Sequence, residues 1–181
     1  MGSCAAGPVA GDGPAARELA GLLREQGNLD AAAVLRRRAD AGDWAAAREL
    51  AGLLREQGNL DAAAAVLRRR ADAGDWVAAL ELAELLRDQG DLEELRRRTD
   101  VGDRAAALEL AGLLREQGDL DEAVAILRRL ADVGDWDAAW ALVGLLREQG
   151  NVEELRRRAD AGDGAAAREL AELLGEIRPD H

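Results

Sequence analysis

Apolar residues recur along the chain at the spacing of an amphipathic helix. Ala47, Leu50, Ala51 and Leu54 fall at i, i+3, i+4 and i+7, which places them on one stripe of a helix. The segment 60–72 repeats this spacing, and arginine and glutamate fill the remaining faces. Alanine, leucine, arginine and glutamate are strong helix formers, and no alternating pattern typical of a strand competes with them. The pattern therefore predicts an all-α protein.

Two kinds of short break separate these helical segments. Gly-Asp dipeptides begin at residues 11, 42, 74, 102, 134 and 162, at intervals of 31, 32, 28, 32 and 28 residues. Between them, Gln-Gly-Asn or Gln-Gly-Asp begins at residues 26, 57, 89, 117 and 149. Glycine ends a helix in the left-handed conformation, and the Asp or Asn after it caps the next helix. Because the breaks are so short, they predict an α-solenoid of antiparallel helical hairpins.

The breaks divide the chain into a flexible N-terminal segment at residues 1–11 and a single helical-repeat domain at residues 12–178. We predict five hairpins followed by a C-terminal capping helix. The 28-residue units lack four residues, so their second helix should be one turn shorter while the apolar stripe keeps its direction. An acid three residues after the cap predicts a capping box in three units. The pairs are Asp91 with Glu94, Asp119 with Glu122, and Asn151 with Glu154.

The apolar and small positions of these units resemble those of tetratricopeptide repeats and the related Sel-like repeats. With Gly58 aligned to the glycine of that family's inter-helix turn, the signature positions fall on Leu50, Ala51, Leu54, Ala63 and Leu67. The resemblance covers residues 12 to 177, although the units are short, leucine replaces the two large aromatic residues and the closing proline is absent. It implies a right-handed superhelix whose first helices line a concave groove that holds a peptide or protein segment.

The groove positions of that family identify a set of candidate contacts in this chain. They are Arg48, Arg55, Leu80, Arg87, Leu108, Arg115, Trp140 and Arg147. Guanidinium groups spaced one repeat apart could bind the carboxylates of an extended ligand. The alternative is that each arginine pairs with an acid of its own or the neighbouring hairpin, which contributes only about 0–1 kcal/mol per pair. Trp140 stands where other units have Arg or Leu, so it is either a binding hot spot or a buried residue.

Three further tryptophans and the arginine triplets have local explanations. Trp44, Trp76 and Trp136 occupy one repeated position, which predicts packing against the preceding hairpin. The arginine triplets end the second helices, where cations interact favourably with the helix dipole. They lie at residues 36–38, 68–70, 96–98 and 156–158. We therefore expect no nucleic-acid binding from these triplets.

The composition limits the kinds of catalytic or metal site that the chain could form. The chain has 36 acidic and 24 basic residues, a net charge of -12, and no Lys, Tyr or Phe. Its one histidine is His181, so a histidine base, a lysine Schiff base or a Cys/His zinc site lacks the residues it needs. We expect no enzyme activity, no cofactor and no metal. No apolar run is long enough to span a membrane, and the single Cys4 favours a reducing cytoplasm.

Two functions remain after these exclusions. The first is a non-enzymatic scaffold that binds a peptide or protein segment in the groove. The second is a self-assembling structural repeat protein, a dimer or a stacked filament without a separate ligand. In the second case an exposed N-terminal hairpin would pair with another copy, because the unstacked end of a solenoid is sticky.

Overall fold

The computed structural model describes residues 29–176, and every regular element in this part is a helix. The first helix of the first hairpin, the segment 1–11 and residues 177–178 lie outside the described residues. Turns of two or three residues join the helices. The helices are α1 (Leu29–Asp40), α2 (Trp44–Glu56), α3 (Leu60–Asp72), α4 (Trp76–Gln89), α5 (Leu92–Asp100), α6 (Arg104–Gln117), α7 (Leu120–Asp132), α8 (Trp136–Glu148), α9 (Val152–Asp160) and α10 (Gly164–Glu176).

The chain forms two compact units that divide inside α4, between Leu85 and Leu86. In the first unit α1 packs on α2, and α2 packs on α3. In the second unit each helix from α5 to α10 packs on the next, and α8 also contacts α10. This order of packing confirms the predicted all-α helical-repeat fold.

After the 12-residue α1, the second helices alternate between two lengths, as predicted. The helices α3 and α7 have 13 residues each, whereas α5 and α9 have 9. Four residues are close to one helical turn, so the loss shortens the helix by about 6 Å and rotates the following residues by only about 40°. As a result, Leu95 in α5 and Leu155 in α9 remain completely buried.

Alanine and leucine build the core in both units. The stripe predicted for α2 is buried at all four positions, and Ala63, Ala64 and Leu67 of α3 are buried as well. Alanine lets helix backbones approach closely, and leucine supplies most of the apolar area that is removed from water. Each fully buried leucine side chain stabilises the fold by about 1.5–3 kcal/mol relative to an exposed one.

Each break ends one helix and begins the next. Gly118 ends α6 with a φ of 87°, a left-handed conformation that favours glycine. After the break that precedes α2, the carboxylate of Asp43 accepts a hydrogen bond from the backbone N–H of Ala46 at 3.1 Å. The preceding Gly42 has a φ of 92°. The chain therefore reverses direction within three residues, and the capping side chain pairs one of the amides that the first helical turn leaves free.

The predicted capping boxes form only in part. Asp91 and Asn151 cap their helices by accepting from the N–H groups of Glu94 and Glu154. Asp119, in contrast, makes no capping hydrogen bond. The reciprocal bond from the glutamate is absent in these three described units because the N–H of each capping residue already donates to a carbonyl of the preceding helix. The reciprocal part of the prediction was therefore wrong.

The glutamates released from this role join neighbouring repeats instead. Glu122 accepts two hydrogen bonds from Arg96, at 3.2 and 3.0 Å. The same pairing occurs between α7 and α9. There Glu154 lies 3.3 Å from Arg128, the residue of α7 that corresponds to Arg96. An acid expected to complete a cap thus connects consecutive second helices.

Two adjacent leucines of α6 differ in how deeply they are buried. Leu114 is fully buried, whereas Leu113 is half-buried. We expect Leu114→Ala to lower the free energy of unfolding by about 2–5 kcal/mol, because it leaves a cavity in the core. Leu113→Ala serves as the matched control and should cost clearly less. Denaturant unfolding followed by circular dichroism measures both, and a loss below about 1 kcal/mol for Leu114→Ala would contradict the assigned core face.

Candidate functional site

Most arginines of the predicted groove bind acids of the next first helix. In the first unit, Arg48 donates to Glu81 at 3.0 Å. The second unit has three such arginines, and each reaches from one first helix to another. Their pairs are Arg87 with Glu109 at 3.2 Å, Arg115 with Glu148, and Arg147 with Glu169 at 3.1 Å. The alternative of inter-repeat ion pairing therefore describes these four arginines.

Sequence differences between units decide which acid each arginine reaches. Arg87 and Arg147 bind the glutamate at one repeated position of the following helix. For Arg115 that position holds Ala141, so its guanidinium binds Glu148, seven residues or nearly two helical turns further along α8, where the equivalent Glu116 also lies 3.5 Å from Arg87. Arg115 is more than half exposed, so this pair contributes little stability.

The remaining predicted contacts differ from one another. Arg55 has no carboxylate within ion-pair distance among the described residues, and Glu81 is bound by Arg48. It lines an open cleft of about 500 Å³ in the first unit, beside Glu81 and Glu84. Leu80 and Leu108 are half-buried. Trp140 is 42% exposed and is therefore not a buried core residue.

The last arginine of each of the four triplets has a specific local partner. It binds the aspartate that caps the next helix, five residues further along the chain. These pairs are Arg38 with Asp43, Arg70 with Asp75, Arg98 with Asp103, and Arg158 with Asp163. The interaction links the end of a second helix to the start of the following first helix. The last arginine of each triplet therefore interacts with a neighbouring carboxylate as well as with the helix dipole.

A fifth capping aspartate, Asp135, binds an arginine from a different part of the chain. The residue five before Asp135 is Leu130, which cannot form an ion pair. Asp135 instead receives hydrogen bonds from Arg104 of the preceding first helix, while it also accepts from the N–H of Ala138 at 3.0 Å. The pKa of Asp135 is lowered, first by the Arg104 hydrogen bond, although partial burial opposes the shift.

The prediction that Trp44, Trp76 and Trp136 pack against the preceding hairpin was wrong. These side chains are 54%, 70% and 69% exposed. Each is the first residue of its helix, and the alanine two residues later is completely buried. Two residues correspond to about 200° of helical rotation, so the tryptophan lies on the opposite side from the core. Trp44 is covered in part by the guanidinium of Arg70, which lies 4.6 Å from the ring centre.

Two tryptophans form a stacked pair on α8. The ring centres of Trp136 and Trp140 are 6.5 Å apart, and the ring planes differ by 16°. Their spacing of four residues places them on one face of the helix. The guanidinium carbon of Arg168, from α10, lies 5.7 Å from the centre of the Trp140 ring. Trp140 therefore lies close to both an aromatic ring and a cation.

This pair forms one wall of an open groove of about 580 Å³ within the second unit. The start of α10, with Gly164, Ala165 and Arg168, also lines the groove, as do residues of the turns before α8 and α10. We call this site the tryptophan groove.

Gly164 explains why the groove lies at this point of the chain. It occupies the first position of α10, where α2, α4 and α8 have tryptophan and α6 has arginine. No atom lies within 4 Å of the place where a Cβ would be at Gly164. The missing side chain leaves the space beside Trp136 and Trp140 open. The sequence contained this signal, since one glycine replaces a large residue at a repeated position.

The charged side chains that line the tryptophan groove differ in whether they have an ion-pair partner. Asp163 accepts from Arg158 at 3.0 Å and from the N–H groups of Ala165 and Ala166. Asp135 is bound to Arg104. Arg168 has no carboxylate within ion-pair distance among the described residues. The groove therefore combines two exposed aromatic rings with one uncompensated cation.

Across residues 29–176, no three His, Cys, Asp or Glu side chains come together in a way that could hold a metal ion. None of the ten helices described is both long enough and apolar enough to cross a lipid bilayer.

The Asp135 ion pair makes stability depend on pH. Because the folded-state pKa is lowered, the stabilisation is complete above about pH 5 and is lost as the pH falls through the folded-state value, below 3.8. Asparagine still caps a helix but loses the charge, so we expect Asp135→Asn to cost on the order of 1 kcal/mol at pH 7 and almost nothing near pH 2. Unfolding curves at both pH values measure this difference. Asp119→Asn is the matched control, and an equal cost at both pH values for Asp135→Asn would contradict the ion pair.

Comparison with known proteins does not assign the chain to a family. No protein-family model matches it, and no curated protein sequence shows a significant match. The tryptophan groove is therefore the feature of the molecule that bears most directly on function.

Proposed function

We propose that the protein is a non-enzymatic interaction scaffold of the tetratricopeptide-like type, that it acts in the cytoplasm, and that it binds a peptide or protein segment. The observation that carries the proposal is the exposed Trp136–Trp140 pair in the tryptophan groove. Large aromatic side chains dominate the energy of protein interfaces, and residues near the centre of a contact contribute most.

The geometry of the pair favours tight binding of a partner side chain. Trp140 is already fixed by Trp136 and Arg168, so little side-chain entropy remains to be lost when a partner docks. Gly164 leaves room beside the rings for a side chain from the partner. A groove of about 580 Å³ has the size of an ordinary ligand pocket.

The arginines of the first-helix face support a structural role for that face. Arg48, Arg87, Arg115 and Arg147 are engaged with acids of neighbouring helices. A ligand carboxylate would have to displace these pairs, which makes a continuous arginine ladder a poor binding site. We therefore place the binding site at the tryptophan groove and not along the whole row of predicted contacts.

The same pairing supports the non-enzymatic part of the proposal. The acids on this face recur at repeated positions and are held by arginines, which is the arrangement of a solvated helix surface. We propose that neither nucleic acid nor a membrane is the partner, because the chain carries a net charge of -12. Self-assembly is the second candidate function, and the exposed face of α10 favours it. The hairpin first proposed for that contact lies partly outside the described residues.

A displayed peptide library, selected on the whole chain, tests the proposal. We expect selected peptides to quench or shift tryptophan fluorescence and to bind at least ten-fold more weakly to Trp140→Ala, because that variant removes an aromatic anchor. Gly164→Trp should also abolish binding, since it restores the residue found at this position in three other repeats and fills the groove.

The chain supplies a matched control for the tryptophan substitution. Trp76 is even more exposed than Trp140 but lies in α4, outside the tryptophan groove. Trp76→Ala should leave the affinity unchanged. If no peptide is enriched, or if enriched peptides bind Gly164→Trp and Trp140→Ala as well as the unchanged chain, the proposal is wrong.

A further inference from the structure

Arg168 is the charged side chain of the tryptophan groove that a ligand could bind without breaking an ion pair. Its guanidinium carbon lies 5.7 Å from the centre of the Trp140 ring, so a cation and an exposed aromatic surface are side by side. The two acids that line the groove, Asp135 and Asp163, are each bound by another arginine. A ligand in the groove therefore meets aromatic rings and one available positive charge.

The equivalent position in α2 shows which group such an arginine binds. Arg48 stands where α10 has Arg168, and it donates to the carboxylate of Glu81 at 3.0 Å. Because Glu81 lies on α4, a guanidinium at this position can bind a carboxylate that is presented from outside its own helix. A ligand carboxylate would make the same charge-assisted hydrogen bonds with Arg168.

The charges of the groove disfavour a cationic ligand. Two exposed tryptophans beside two aspartates have the composition of a site for a bound cation. In this groove both carboxylates already bind arginines, and Arg168 adds a positive charge next to the rings. A Lys or Arg side chain from a partner would therefore be repelled, whereas an acid would be attracted.

The start of α10 indicates that this acid is a side chain and not the end of a partner chain. Proteins that capture a terminal carboxylate commonly use several free backbone N–H groups. In the groove, the N–H groups of Ala165 and Ala166 already donate to Asp163. A single guanidinium remains, and it is sufficient for the carboxylate of an Asp or Glu side chain.

The distance between cation and ring limits the spacing of the two groups in the partner. An aromatic side chain that packs on Trp140 and a carboxylate that binds Arg168 are held at a separation similar to 5.7 Å. Side chains two apart in an extended segment are about 6.6 Å apart on one face, and those one turn apart in a helix are about 5–6 Å apart. The acid therefore lies within four residues of the aromatic anchor.

The net charge of the whole chain limits the number of acids in the partner. With a net charge of -12, the protein repels a segment that carries many carboxylates. The contact with Arg168 is short, whereas the repulsion acts over about 10 Å and is weakened by salt. One acid beside the anchor is therefore favourable, but an acidic run is not.

We propose that the segment bound in the tryptophan groove presents an aromatic side chain to Trp140 and, within four residues of it, a single Asp or Glu whose carboxylate binds Arg168. This inference names the chemistry of the partner and therefore rests on the proposed function of the groove.

Parallel selections from one displayed peptide library test the charge preference. The peptides are joined to the display protein through their C-termini, so none has a free terminal carboxylate. We expect the unchanged chain to enrich peptides with an aromatic residue and an Asp or Glu within four residues of it. Arg168→Glu should instead enrich an aromatic residue with Arg or Lys in place of the acid.

The control for this charge reversal lies in the same unit. Arg129 of α7 is exposed and does not line the tryptophan groove, so Arg129→Glu makes the same change of charge away from the site. Arg129→Glu should enrich the same peptides as the unchanged chain.

A double-mutant cycle tests the contact itself. One enriched peptide is made in acetylated and amidated form, together with a version in which the amide residue Asn or Gln replaces the acid. Titration followed by tryptophan fluorescence should show binding at least three-fold weaker for the amide peptide or for Arg168→Gln. The two changes together should weaken binding little more than either one, because both remove the same ion pair. A free C-terminus on the peptide should not raise its affinity.

The outcomes separate this inference from the proposed function. The inference is wrong if the enriched peptides keep the aromatic residue without the acid, if they carry Arg or Lys beside it, or if binding requires a free terminal carboxylate. It is also wrong if Arg168→Gln weakens the acidic and the amide peptide equally. In each of these cases the groove still binds peptides, whereas both proposals fail if the unchanged chain enriches none. Circular dichroism checks that every variant is folded.

Discussion

The reversal of the chain at each glycine is the constraint on which the rest of the structure depends. At these breaks a glycine adopts a left-handed conformation, and in most of them the next residue caps the following helix. Consecutive helices therefore lie side by side before any long-range contact forms. The arginine that binds the capping aspartate, as Arg98 binds Asp103, fastens both sides of the turn. Leucine and alanine then need only to fill the space between helices whose directions are already set.

Charged residues have a different task from the core. The ion pairs between repeats, such as Arg87 with Glu109, lie at the surface and contribute little energy individually. They do, however, leave few free charges on the first-helix face. Exceptions are consequently informative, and Arg168 beside Trp140 is one of them. Irregular residues in a regular array, and not the array itself, mark the surfaces where a partner could bind.

The sequence predicted the fold better than it predicted the surface. Helix positions, turns and the short second helices followed from the recurrence of glycine and from the 3.6-residue period, which are local properties. The exposure of Trp44, Trp76 and Trp136 was mispredicted because a repeated position was taken as evidence of burial. Which acid each arginine binds depends on long flexible side chains and on distant substitutions such as Ala141. The replacement of a large residue by Gly164 is visible in the sequence. That it leaves a groove open beside Trp136 and Trp140 follows only from the structure, which shows which side chains surround it.

The alternation of long and short second helices gives the array a larger period. One 32-residue unit and one 28-residue unit together span 60 residues, as from Gly42 to Gly102 and from Gly102 to Gly162. Unequal recombination that inserts or removes 60 residues would preserve helix phase, caps and the pairing of Arg96 with Glu122. A change of a single unit would instead place two short second helices next to each other, or two long ones as in α1 and α3, and would replace an interface between a long and a short helix. The gene can therefore vary in copy number most safely by pairs of repeats, with length changing in steps that leave every surviving interface intact.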